Sequence, residues 1–187
     1  MKTVIHMIAT LTIIGVVAGG ILFIVSDWAD PLIAANQKLE TEKAIFLVHP
    51  EGKSYEAITS KDIQAYKVFD EQKNLRGYSL VYDGNGFQGK IRLMIGLSAD
   101  LNEISSIEVL EQVETPGLGN KITEEPFKKQ FNFLPNTPEI IWVKNEEPDQ
   151  PNEIQAITGA TISSKSVVAI INSGVAKMRE LNERGQL

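Results

Sequence analysis

Residues 157–164 have the sequence Ile-Thr-Gly-Ala-Thr-Ile-Ser-Ser and connect two regular patterns. The apolar run at 154–157 is typical of a strand, and the amphipathic pattern after the stretch predicts a helix over about 164–183. Gly159 and Ala160 permit a tight turn between them. Because the first turn of a helix has unpaired backbone N–H groups, this arrangement suits an anion such as phosphate.

The hydroxyl groups of this stretch allow two interpretations. Thr161, Ser163 and Ser164 can cap the helix while Gly159 forms the turn, because caps and turns commonly use these residue types. Alternatively, the stretch is a place where a phosphate meets a hydroxyl. The spacing alone favours the plain cap and turn.

The composition excludes several classes of site. The 187-residue chain has no cysteine, so disulfides, zinc–thiolate sites, iron–sulfur ligation and thiol catalysis are excluded within it. With two histidines, neither a catalytic triad nor a histidine metal centre is expected. The net charge of −6 and the pI near 5.0 disfavour nucleic acid as a partner.

Residues 4–25 predict a transmembrane helix, because the run is long enough to cross a bilayer and His6 is its one ionisable side chain. A cleaved signal peptide is the alternative, but the run is longer than the usual signal core and no small-residue cleavage site follows it. Lys2 precedes the run, and the next Lys or Arg after it is Lys38. The positive-inside rule therefore predicts a cytoplasmic N-terminus and an extracytoplasmic body.

The middle of the chain predicts one further helix and then a series of strands. Asp30-Pro31 predicts a helix start, with Asp as N-cap, and the helix is expected over 31–48 as a stalk. A polar loop is expected at 51–63 and a turn at 83–86. Apolar runs predict an antiparallel meander of four strands, at 65–69, 78–82, 89–97 and 104–113. A short helix is expected at 124–133 and a short strand at 140–143.

A second informative stretch, residues 114–119, has the sequence Glu-Thr-Pro-Gly-Leu-Gly. Pro-Gly followed by another Gly predicts a rigid, exposed turn. This turn is either a plain connection between a strand and a helix or a loop beside a planar ligand, where glycine allows close approach.

These two stretches resemble the FMN-binding domain that the G subunit of Rnf complexes shares with the C subunit of Nqr complexes. The similar parts are Thr-Gly-Ala-Thr at 158–161 with the Ile-Ser-Ser and Val-rich helix after it, and the whole 114–119 run. The shorter G subunit fits the chain length better. The resemblance implies an α+β fold, in which a single transmembrane helix (1–26) and a stalk (27–50) precede an FMN-binding domain (51–187) with a largely antiparallel sheet and flanking helices.

The resemblance also implies a cofactor site. Thr161 is expected to carry FMN through a phosphoester bond that a flavin transferase installs. Further cofactor contacts are expected in the two motifs, at Thr158, Gly159, Ala160, Ser163, Ser164, Glu114, Thr115, Gly117, Leu118 and Gly119. The family usually has Asp six residues before the modified Thr, and this chain has Gln155 there.

The function implied by the resemblance is electron transfer in the cytoplasmic (inner) membrane, not independent catalysis. The Rnf complex moves electrons between reduced ferredoxin and NAD, coupled to Na⁺ or H⁺ transport, and other membrane subunits hold the iron–sulfur clusters. A non-redox assembly module is an alternative, favoured by Gln155 and by the close-packing pair Gly15 and Gly19. An FMN-binding component of another respiratory complex, similar to the Nqr protein, is the other alternative.

Overall fold

The structure, a computed structural model, describes residues 2–58 and 63–187. It begins with one long helix, α1 (Lys2–Val48), which is long and apolar enough to cross a membrane. The expected helix start at Asp30-Pro31 is wrong, because α1 continues through Pro31. Proline removes one N–H from the helical ladder, but the residues on both sides of it stay helical.

The body of the chain is built on a six-stranded sheet in which consecutive strands are antiparallel neighbours. The predicted meander is therefore confirmed. Its strands are β1 (Ser54–Ile58), β2 (Gln64–Phe69), β3 (Leu75–Asn85), β4 (Lys90–Ser98), β5 (Glu103–Gln112) and β6 (Leu134–Pro135).

Two expected connections, a loop and a turn, differ from the sequence predictions. The expected polar loop at 51–63 contains β1, and every residue of β1 pairs with a residue of β2. Residues 59–62 of the expected loop lie outside the described part of the chain. The expected turn at 83–86 comes later, because β3 stays paired with β4 as far as Asn85. The hairpin is closed by the N–H of Gly86, which donates to the carbonyl of Gly89 at 2.6 Å.

The helix α3 (Thr161–Glu183) packs on one face of the sheet. Its apolar stripe is buried, as the periodicity predicted, and Ile171 has no exposed surface. The helix also lies very close to β3 at Gly84. A Cβ atom added to Gly84 would lie only 2.7 Å from Cγ1 of Ile170. The absence of a side chain at Gly84 therefore lets the backbone of α3 approach the sheet.

The opposite face of the sheet is covered by the last turns of α1. There Ala44, Ile45 and Val48 pack with Val68, Val81 and Met94 in a second apolar cluster. Neighbouring residues of β3 and β4 consequently point into different cores, and both are buried. This explains why both strands contain a run of five consecutive buried residues, 77–81 in β3 and 93–97 in β4, rather than a strict alternation.

The connection from the sheet to α3 contains short elements. A 3₁₀ turn (Gly119–Thr123), helix α2 (Glu125–Lys128) and a second 3₁₀ turn (Lys129–Phe131) confirm the predicted helical segment. Strands β7 (Ile141–Val143) and β8 (Glu153–Gln155) then pair in parallel. Because strands in a parallel pair end at the same edge, the segments after β7 and β8 emerge side by side.

The predicted α+β class, with an N-terminal helix, a largely antiparallel sheet and flanking helices, is confirmed. The chain divides into two compact units after Glu40, and the larger unit covers Thr41–Leu187. The finer division at 26/27 and 50/51 stays a prediction.

A pH dependence of stability follows from His49, the residue after α1. Burial lowers the pKa of His49, the nearby Arg76 guanidinium lowers it further, and the hydrogen bond to the carbonyl of Tyr78 opposes both. Since the folded pKa lies below the unfolded value, stability should be complete above about pH 6.5 and fall as the pH drops below it.

Urea unfolding of the whole chain in detergent, at pH values from about 7.5 to about 5.5, measures how the free energy of unfolding changes. This range lies on both sides of the unfolded histidine pKa of about 6.5. In His49→Gln, whose amide can still donate to Tyr78, the decline should be smaller than in the wild type. Equal declines in the two proteins would contradict the prediction.

Candidate functional site

A cleft of about 420 Å³ brings both sequence motifs together. Most of the predicted cofactor residues line it, whereas Gly117 and Ser164 lie outside its lining, and cofactor contact by any of them stays a prediction. The lining residues are Phe87, Glu114, Thr115, Leu118, Gly119, Lys144, Asn145, Thr158, Gly159, Ala160, Thr161, Ile162 and Ser163.

The turn before α3 has the geometry that its small residues predicted. Gly159 has a φ of +86°, in the left-handed region that favours glycine, and the N–H of Ala160 donates to the carbonyl of Ile157 at 2.9 Å. A Cβ atom at Gly159 would lie 3.4 Å from Cδ2 of Leu118. The turn therefore lies next to Leu118 of the second motif.

The first turn of α3 is not capped by a side chain, so the plain cap interpretation is wrong. Its N-cap is Ala160, whose methyl group cannot accept a hydrogen bond. Ser164 instead binds inside the turn, accepting from the N–H of Ile157 at 3.0 Å and donating to the carbonyl of Ala160 at 3.1 Å. Because Thr161, Ile162 and Ser163 line the cleft, the positive end of the helix dipole is available there.

The two motifs are joined by the side chain of Glu114, which is only 4% exposed. One carboxylate oxygen accepts from the N–H groups of Phe87 at 2.8 Å and Gln88 at 3.1 Å. The other accepts from the hydroxyl of the buried Ser163 at 2.5 Å. We call this arrangement of Glu114, Phe87, Gln88 and Ser163 the Glu114 clamp.

Two glycines make room for the clamp. A Cβ atom at Gly86 would lie 2.2 Å from Oε1 of Glu114, and one at Gly119 would lie 2.6 Å from Oε2 and 2.7 Å from Oγ of Ser163. All three distances are too short for real atoms. The second glycine of the 114–119 motif is therefore needed for the packing of the carboxylate, and not only for a turn.

Sequence reasoning missed Phe87, Lys144, Asn145 and Ile162 as lining residues. Lys144 and Asn145 follow β7, and they reach the cleft because β7 is parallel to β8, which leads into the 157–164 motif. No local pattern revealed this pairing. Phe87 is 60% exposed in the β3–β4 hairpin, and an exposed aromatic between two glycines was the one available signal.

Two other residues near the motifs, Trp142 and Gln155, are held by contacts within the fold. Trp142 packs against the main apolar core. Gln155, at the position where the family usually has Asp, exchanges hydrogen bonds with the amide of Gln130, at 2.7 and 3.2 Å. Its own amide donates to the carbonyl of Glu146 at 2.8 Å. The side chain of Gln130 thus binds both the backbone N–H and the backbone carbonyl of Gln155 in β8.

The cleft combines groups that suit a ligand with an anionic end and an apolar body. Its anionic end would meet the uncapped helix start, the Thr161 hydroxyl and the ammonium group of Lys144. Apolar contact is available from Phe87 and Leu118. A volume of about 420 Å³ lies within the usual range for small-molecule and cofactor sites.

The packing around the clamp predicts the effect of Gly119→Ala. The added methyl group would collide with both Glu114 and Ser163, so we expect a loss of about 1–3 kcal/mol in the free energy of unfolding. Denaturant unfolding of the whole chain in detergent measures it. The double variant Gly119→Ala/Ser163→Ala should lose less than the sum of the two single losses, because removing the hydroxyl relieves part of the collision. Additive losses would contradict this explanation.

Comparison with known proteins agrees with this geometry. Residues 86–176, which include both motifs, match the family of FMN-binding domains. The G subunit of the ion-translocating oxidoreductase complex of Methanosarcina acetivorans is 30% identical over 182 residues, which cover 93% of this chain and 94% of that protein. The G subunit of the Na⁺-translocating ferredoxin:NAD⁺ oxidoreductase complex of Acetobacterium woodii is 30% identical over 152 residues, 73% of this chain and 72% of that protein.

Among solved structures, NqrC of Shewanella oneidensis has a similar fold, with a TM-score of 0.56 and 20% identity over 66% of this chain and 65% of that one. The identity and near-complete coverage of the Methanosarcina relative decide the family. The chain belongs to the family formed by the G subunits of the Rnf-type ion-translocating oxidoreductase complexes.

Proposed function

We propose that this chain is an electron-transfer flavoprotein subunit of a membrane-bound ferredoxin:NAD oxidoreductase complex, and that it carries FMN on Thr161. The observation that carries the proposal is the cleft, in which the Thr161 hydroxyl, an uncapped helix start and the 114–119 loop come together. Family membership supports the same function.

The phosphate end of FMN would lie at the start of α3. The Thr161 oxygen would replace one phosphate oxygen, so the product is the protein plus FMN less one water. The resulting phosphodiester keeps a negative charge, which the first-turn N–H groups and the helix dipole would stabilise. Lys144 supplies a nearby cation in the same cleft. Thr161 itself is only partly buried, so a flavin transferase could reach its hydroxyl.

FMN supplies the redox chemistry when bound, and the protein binds and orients it. The Glu114 clamp holds the two loops of the cleft in a fixed relation, with both carboxylate oxygens occupied by protein donors. The side chains that line the cleft therefore suit holding and orienting a cofactor.

Helix α1 would anchor the chain in the membrane, with the N-terminus in the cytoplasm and the FMN domain on the other side. A covalent bond suits that location, because a flavin attached through its phosphate cannot dissociate. The chain has no cysteine, so its redox partners with iron–sulfur clusters would be other membrane subunits of the complex.

Intact-mass analysis of the chain purified from its own membranes tests the attachment. The wild type and Thr123→Ala should show an added mass of one FMN less one water, and Thr161→Ala should lack it. Thr123 is the matched control because it is an exposed threonine outside the cleft lining, whose hydroxyl donates to the carbonyl of Asn120.

An unmodified wild-type mass would contradict the proposal and favour the non-redox assembly module, with Gln155 as the first residue to examine. An added mass that survives in Thr161→Ala would place the flavin on another residue. The proteins that copurify with the modified chain would separate a ferredoxin:NAD complex from one similar to Nqr.

A further inference from the structure

The loop between β7 and β8, residues 144–152, places charges of both signs beside the cleft. Lys144 and Asn145 line the cleft, whereas the next residue, Glu146, has its carboxylate outside the lining. Residues 144–151 are all exposed, so burial of apolar side chains does not fix their position. Hydrogen bonds therefore decide which of these charges faces the anionic end of a ligand.

One of these hydrogen bonds comes from Gln155. Its side-chain amide donates to the backbone carbonyl of Glu146 at 2.8 Å, directly after Asn145. Asn145 has a φ of +57°, in the left-handed region that is less favourable for residues other than glycine. Such a backbone conformation persists where neighbouring contacts support it. The Gln155 amide thus holds the loop immediately after the two residues that reach the cleft.

Gln155 is itself held on both sides within β8. It pairs with Val143 at the end of β7, and the side chain of Gln130 binds its backbone N–H at 2.7 Å and its carbonyl at 3.2 Å. The chain then continues from β8 into the turn that precedes Thr161. Gln155 consequently connects the loop that carries Lys144 to the segment that carries the Thr161 hydroxyl.

The contact with the loop requires an amide at position 155. The carbonyl of Glu146 accepts a hydrogen bond, so its partner must donate one, which an ionised carboxylate cannot do. A glutamate at this position would have nearly the same shape but would place a negative charge against the carbonyl oxygen. An aspartate would in addition be one methylene shorter. Glutamine therefore suits this contact, and neither acidic residue does.

We propose that Gln155 is a positioning residue for the phosphate end of the cofactor, and that it acts by holding Lys144 at the cleft. This proposal rests on the proposed function, because it concerns the attachment of FMN to Thr161. Gln155 lies outside the lining of the cleft, so its effect passes through the loop. The ammonium group of Lys144 is the charge that the loop presents to the phosphate.

The rate of FMN attachment tests this role, followed by intact mass of the full chain from its own membranes at short times after induction. In Gln155→Glu the rate should fall about threefold, because one hydrogen bond of ordinary strength is lost. In Gln155→Asp it should fall at least as far. Gln150→Glu is the matched control and should keep the wild-type rate. It makes the same change in the same loop, at an exposed residue whose backbone N–H binds Glu153.

A double variant separates positioning of Lys144 from a general loss of structure. If Gln155 acts by holding Lys144, Gln155→Glu should slow attachment little in a chain that already carries Lys144→Met. Amide hydrogen exchange of the whole chain in detergent gives a readout that does not depend on flavin. In Gln155→Glu the exchange should become faster within residues 144–150 and stay unchanged within α3.

The full loss of rate from Gln155→Glu in the Lys144→Met chain would overturn the proposal, because Gln155 would then act independently of Lys144. Unchanged exchange at 144–150 in Gln155→Glu would overturn it as well, whatever the rate of Lys144→Met. A faster rate in Gln155→Asp would also contradict it, because a carboxylate would then serve the transferase directly. These results leave FMN on Thr161 and the proposed function intact. A wild type without attached FMN would instead contradict the proposed function, and this proposal with it.

Discussion

The buried carboxylate of Glu114 is the interaction on which the candidate site depends. It joins the β3–β4 hairpin, the end of β5 and the first turn of α3, which are far apart in the sequence. A hydrogen bond to a charged group contributes about 1.5–3 kcal/mol, so the three hydrogen bonds strongly favour a single arrangement of these segments. Gly86 and Gly119 belong to the same requirement, because a side chain added at either position would collide with the carboxylate.

The rest of the fold places the partners of this carboxylate. The meander brings the hairpin after β3 to the end of the sheet where β5 also finishes. Packing of α3 on β3, with Ile170 against Gly84, fixes the direction in which the helix starts. The parallel pair of β7 and β8 delivers both Lys144 and the 157–164 motif to the same place. Ordinary sheet and helix packing therefore assembles a site from four separate loops.

Much of this could be predicted from the sequence, because the signals were local. Apolar runs gave the strands of the meander, and 3.6-residue periodicity gave α3. The features that were missed depend on tertiary contacts. Residues 54–58, which were expected in a loop, form a strand because β2 offers them an edge to pair with. Helix α1 continues through Pro31 despite a sequence typical of a helix start. The parallel pairing of three-residue strands has no local signal.

The chemistry of the site divides in the same way, since the Thr161 hydroxyl and the small-residue turn were evident in the sequence. Ser163 looked like a cap and is instead a donor to Glu114, 49 residues away along the chain. Only the fold supplied that partner.

The flavin content of Glu114→Ala in native membranes tests the central claim, that the clamp builds the site. We predict at least a tenfold loss of attached FMN, since loss of about 1.4 kcal/mol in the stability of the bound arrangement already corresponds to a factor of about ten. Glu114→Gln, which keeps an acceptor for the hairpin, should retain more. Glu108→Ala is the control, because Glu108 pairs with Lys128 outside the cleft. Full flavin content in a folded Glu114→Ala chain would contradict the account.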